Sequence, residues 1–222
     1  MVESATQREI AYRKIKGDII NRRWPAGTKL VERKVCKTLN LSRTPIREAF
    51  NHLEKEGLLE HVPKRGVFTK RFDKREVLEM YEAREGLEGI GARLAAGCAT
   101  RDDLEKMEQV LKKMEAILKK GNGQAGETQV GEYNRADNEF HNLLVKASHN
   151  RILINLSSRC HMEVAEVPKK AASANAKKSG WTQVFKEHRH ILDCLKSGNA
   201  VLSERNVRKH IARGKCKAER DL

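Results

Sequence analysis

Residues 27–69, GTKLVERKVCKTLNLSRTPIREAFNHLEKEGLLEHVPKRGVFT, constrain the fold more than any other part of the chain. Val31, Val35 and Leu39 recur every four residues and mark a short helix over 32–39. Asn40-Leu41-Ser42 breaks it. A second helix over 44–56 then places Ile46, Ala49, Phe50 and Leu53 on one face. Ser42 and Thr44 offer N-caps, Pro45 fits the first turn, and Gly57 suits the position just past the end. Leu58–Val62 and Val67–Phe72 alternate as two short strands around the basic turn Pro63-Lys64-Arg65-Gly66. Upstream, residues 7–22 set Ile10, Ile15, Ile19 and Ile20 beside Tyr12 as an amphipathic helix, and Lys29–Val31 fits a very short strand. Three helices and a basic hairpin predict a winged helix-turn-helix.

Arg43 and Arg47, four residues apart, project from one face near the start of the third helix. A recognition helix presents side chains to base edges and phosphates there. The charge agrees: the chain carries +15, and residues 1–73 hold 17 Lys/Arg against 9 Asp/Glu. Such an excess favours a polyanion, because basic groups release condensed counterions when they neutralise phosphates. Five cysteines without a CxxC pair point to reduced thiols and a cytoplasmic protein. The charged fraction of 34% and mean hydropathy of −0.68 argue for solvated helices. No apolar run approaches the ~20 residues of a membrane span, and the N-terminus lacks a secretory core.

After Asp73 the strand signals end. Helical patterns fall near 73–97, 101–120, 129–147, 151–176, 181–197 and 199–217. The stretch GNGQAGETQVG at 121–131 reads as a flexible loop. The fold class is therefore mainly α, a winged helix-turn-helix over 1–72 followed by an all-α bundle over 73–222. In the bundle, Asp137 and His141 stand four apart and can share one ligand. His188 sits between Val184, Ile191 and Leu195, and His210 between Val207 and Ile211, both on inward faces. Three histidines and a carboxylate suit a divalent ion, Zn²⁺, Ni²⁺, Fe²⁺ or Mn²⁺. His52, His61, His149, His161 and His190 lack such partners, and Cys160 lacks a second cysteine at ligand spacing.

The order PAGTKLVE, LSRTPIREAF, LEKEGLLE, KRGVF resembles the DNA-binding domain of the GntR family of bacterial transcription regulators. The segments ADNEFHNLLVKASHN, KEHRHILDCLKSGNA and VRKHIARG are similar to successive signatures of the FCD ligand-binding domain, the FadR-type branch, in its six-helix VanR-like form. The resemblance implies DNA contacts from Arg33, Arg43 and Arg47, with Ser42 and Thr44 on phosphates and Arg65-Gly66 in the wing. It also implies metal ligation by Asp137, His141, His188 and His210, and an effector-facing Arg84 in YEAREGLEGIGARLAA. The expected protein is a homodimeric, metabolite-responsive regulator, a repressor rather than an activator. It would bind a pseudo-palindromic double-stranded DNA operator and a small organic acid. The alternatives are a metal-dependent enzyme acting on small carboxylic acids and a constitutive DNA binder with a purely structural metal.

Overall fold

The computed structural model describes residues 6–20, 23–120, 127–165 and 174–221, and its internal contacts divide the chain after Asp73. The first unit contains α1 (Gln7–Ile20), β1 (Lys29–Leu30), α2 (Glu32–Leu39), α3 (Arg43–Lys55), β2 (Leu59–Val62) and β3 (Gly66–Thr69). The strands form an antiparallel sheet in the order β1-β3-β2, with Lys29 opposite Phe68 and Val62 opposite Gly66. Its core is Ile15 and Ile19 from α1, Ile46 and Leu53 from α3, and Leu58 and Leu59, all at most 2% exposed. Each such side chain contributes about 1.5–3 kcal/mol by leaving water.

The ends of α3 show where local sequence acts. Gly57 N–H donates to the Glu54 carbonyl and Leu58 N–H to the Leu53 carbonyl, both at 2.9 Å, with Gly57 at φ +78°. This is the Schellman closure, and the positive φ selects glycine. At the other end Ser42 occupies the N-cap position, but its hydroxyl makes no capping hydrogen bond. The helix starts one residue earlier than the sequence pattern suggests, so Thr44 lies inside the first turn rather than capping it. Pro45 still falls where backbone N–H groups have no helical partner.

In the second unit, six helices follow among the described residues: α4 (Lys74–Cys98), α5 (Arg101–Lys120), α6 (Glu127–Lys146), α7 (Arg151–Ala165), α8 (Ala174–Lys196) and α9 (Ala200–Asp221). Met107, Leu111, Met114, Phe140, Leu144, Leu192 and Val207 are completely buried in their shared core. Helix α4 packs chiefly along α9, and α5 packs against α6 and α8. Two boundaries differ from the sequence reading. Residues 127–131, expected in the flexible loop, are the first turn of α6, and only 121–126 of that stretch lie outside the described residues. Helix α8 begins at Ala174, inside the segment expected to end the preceding helix. Small and polar residues in both stretches carry no apolar period, so hydrophobic spacing misses the extra turns. No helix among the described residues is long and apolar enough to cross a membrane.

Candidate metal and effector site

Among the buried residues of the second unit, most are apolar, and the charged and imidazole groups gather in one cluster. There α6 delivers Asp137 and His141, α8 delivers His188, and α9 delivers His210. Phe140 stacks on His188 with ring centres 4.2 Å apart. The Nε2 atoms of His141, His188 and His210 are 3.2 Å from one another in all three pairs. Asp137 Oδ1 lies 3.7 Å from His188 Nε2, and one ligand atom from each of the four residues lies within 4.8 Å of the others.

Protons cannot satisfy this arrangement. His141 Nδ1 stands 2.6 Å from Glu88 Oε2, and His210 Nδ1 stands 2.7 Å from Glu187 Oε2. Ionised carboxylates only accept, so both Nδ1 atoms carry the proton and both Nε2 atoms present lone pairs. If His188 donates its Nε2–H to one neighbour, the His141–His210 contact still sets lone pair against lone pair. Extra protons are disfavoured, because burial holds all three imidazoles below their usual range. His188 lies furthest below, with His210 and His141 adding repulsion. A shared divalent cation removes the conflict. Two nitrogens each about 2.0–2.1 Å from one ion stand roughly 2.9–3.4 Å apart at ligand angles of 90–110°, which brackets the observed spacing. Imidazole and carboxylate donors suit Zn²⁺, Ni²⁺, Fe²⁺ or Mn²⁺, and carboxylates behind Nδ1 are the usual support for such ligands. The residues present therefore fit a metal.

The two carboxylates behind the rings are not among the site residues expected from the sequence. Glu88 is wholly buried and shares its two oxygens between His141 and Arg84, whose Nε donates at 2.6 Å. Arg84 is itself 3% exposed and lies over the Tyr81 ring. The four-residue step from Arg84 to Glu88 was the available signal. Glu187, immediately before His188, reaches across to His210 on α9 and also receives Gln183 and Arg213. The remaining histidines stand elsewhere: His149 on Asp103, His52 against the Tyr12 ring, and His190 exposed beside Cys194. His61 is exposed in the first unit, and the side chain of His161 lies outside the described residues.

In the first unit, Arg33 on α2 and Ser42, Arg43, Thr44 and Arg47 at the start of α3 are all exposed. Arg47 Nε lies 2.8 Å from Glu32 Oε1, an ion pair without hydrogen-bond alignment. Arg65 is exposed in the β2–β3 turn with its guanidinium 5.6 Å from the Phe68 ring centre. Gly66 follows at φ +104°, a conformation that costs a glycine little.

A helix-turn-helix unit with an exposed basic helix, joined to a helical bundle that gathers three buried histidines and a half-buried aspartate, defines a class of DNA-binding regulator. The comparisons agree on the family. Residues 7–69 match the model for bacterial regulatory proteins of the gntR family, and residues 79–213 match the FCD domain. The chain is 29% identical over 201 residues to the uncharacterized HTH-type transcriptional regulator YdhC of Bacillus subtilis, covering 90% of this chain and 85% of that protein. It is also 29% identical over 195 residues to the probable D-xylose utilization operon transcriptional repressor of Paenarthrobacter nicotinovorans, covering 88% and 81%. A crystal structure of a putative transcriptional regulator GntR from Rhodococcus sp. RHA1 shares the fold, with a TM-score of 0.78 at 20% identity over 96% of this chain and 98% of that one. The chain belongs to the GntR family of transcription regulators and carries an FCD domain. It is a DNA-binding regulator rather than an enzyme, which removes the alternative of a metal-dependent enzyme acting on small carboxylic acids.

Proposed function

We propose that the chain is a metabolite-responsive repressor whose switch is a divalent ion held by Asp137, His141, His188 and His210. The observation that carries this reading is the convergence of three Nε2 atoms 3.2 Å apart, two of the rings fixed by carboxylates at Nδ1, Glu88 buried and Glu187 half-buried. The ion would supply a Lewis-acidic acceptor for a carboxylate oxygen. Glu88 accepts from Nε of Arg84, and the terminal nitrogens of the guanidinium would pair with a small organic acid. Arg33, Arg43, Arg47 and Arg65 would make the DNA contacts, Ser42 and Thr44 would bind phosphates, and Gly66 would let the wing approach the duplex. One winged helix reads few base pairs, so a homodimer on a pseudo-palindromic operator is the expected assembly. Repression is favoured by the name of the Paenarthrobacter relative.

Effector binding alters operator affinity only if the ligand distinguishes two states of the dimer. The test is metal analysis of purified protein and of His188→Ala, combined with operators selected from random duplexes. The reading predicts one ion per chain, lost in the variant, and operator affinity that changes when a carboxylic acid is added to the metal-loaded form. An ion whose removal lowers only the melting temperature would make the metal structural.

A further inference from the structure

The helices α8 and α9 face each other with matched stripes. Gln183, Lys186 and Glu187 on α8 and Lys209, His210 and Arg213 on α9 line an open groove of about 320 Å³. Its floor is Glu187, whose carboxylate is filled: Oε2 takes His210 Nδ1 at 2.7 Å, and Oε1 takes Gln183 Nε2 at 2.7 Å together with Arg213. The one acid of the groove is thus committed to its floor and lower wall. Lys186 and Lys209 are exposed at the sides, and among the described residues neither has an acidic partner. Some exposed lysines of this unit do find carboxylates, as Lys106 finds Asp102, Lys119 finds Glu115 and Lys215 finds Glu82. The three cations against one carboxylate leave two positive charges uncompensated in a concave space.

We propose that this groove is a second anion site, beside the histidine quartet on the Nδ1 side of His210, for a small dianion such as a phosphate or dicarboxylate group, and that Glu187 links it to the quartet. The volume suits a small molecule. A dianion held by Lys186 and Lys209 draws Arg213 from Glu187. The carboxylate then turns more of its charge on His210 Nδ1–H, which makes the opposite ring nitrogen a better donor to a metal. Anion and metal therefore strengthen each other, by equal factors, because binding linkage is reciprocal.

The linkage rests on the metal reading above; the anion site does not, and the experiment separates them. Calorimetric titrations of inorganic phosphate and, separately, succinate into the full chain, chelator-stripped and Zn²⁺-loaded, give saturable binding for at least one of the two probes. The double variant Lys186→Ala/Lys209→Ala weakens that binding at least tenfold, whereas His141→Ala, which disables the quartet, leaves it in place. Glu187→Gln tightens it, since a negative charge leaves the groove, and abolishes the mutual effect of anion and Zn²⁺. Circular dichroism of each variant checks that it is folded. Four results overturn the proposal: no saturable binding of either probe, binding lost in His141→Ala but unchanged in the lysine variant, binding weakened by Glu187→Gln, or a lysine variant altered only in duplex binding.

Discussion

Glu88→Ala is the perturbation with the largest consequence worked from the structure. The carboxylate is fully buried and holds both the buried Arg84 guanidinium and His141 Nδ1, each at 2.6 Å. Truncating it strands a cation in the bundle, and breaking a buried pair by removing one partner costs about 3–5 kcal/mol. For a unit of this size that corresponds to a fall in melting temperature of roughly 6–20 °C. The double variant Arg84→Met/Glu88→Leu removes both charges, so only the orphaned His141 Nδ1–H remains, a deficit of about 1–3 kcal/mol. Thermal unfolding of chelator-stripped protein, followed by circular dichroism, measures both. The double variant should melt above the single one. A Glu88→Ala protein that melts within about 2 °C of wild type, or a double variant no better than the single, would mean that Glu88 does not compensate a buried Arg84 charge. In the same single variant, metal affinity should drop about 10–100-fold, because the His141 ring loses the acceptor that fixes its tautomer.

The histidine cluster also sets a pH dependence. His141, His188 and His210 are held below the ordinary imidazole value of about 6.5 by burial, so around and below that pH the unfolded chain binds more protons than the folded one. Stability of stripped protein is then full above pH 6.5 and falls as the pH drops below it, by up to about 1.4 kcal/mol per pH unit for each histidine; urea melts between pH 5 and 8 would read this, and a flat profile would contradict it. Arg43→Ala should weaken binding to a selected operator at least about tenfold, the worth of one bidentate guanine contact, without lowering the melting temperature. Gly57→Ala should cost about 1–2 kcal/mol, because alanine must adopt φ +78° at the end of α3; chemical denaturation measures it, and an unchanged midpoint would remove the Schellman argument.

How much of this was legible in the sequence depended on how local the physics was. Helix α2 and the face of α3 follow from four-residue spacing, and Gly57 announces its own left-handed turn. The quartet was readable as four residues on inward helix faces. What spacing could not supply was the second layer. Glu187 sits next to His188 in sequence yet serves His210 on another helix, and Glu88 reaches His141 from α4. Such partners are set by how α4, α6, α8 and α9 pack, which periodicity within one helix does not encode. The Glu32 contact to Arg47 was hidden for the same reason, since it joins α2 to α3.

The central claim is that one unit determines where the protein binds and the other determines when. Operator affinity of the Zn²⁺-loaded protein, measured by fluorescence anisotropy across a panel of small carboxylic acids, tests it most directly. At least one acid should shift the affinity by about 5–150-fold, the usual range of allosteric coupling. The shift should vanish in His188→Ala, which still binds the operator. An affinity unchanged by every acid, or a shift that survives in His188→Ala, would contradict it.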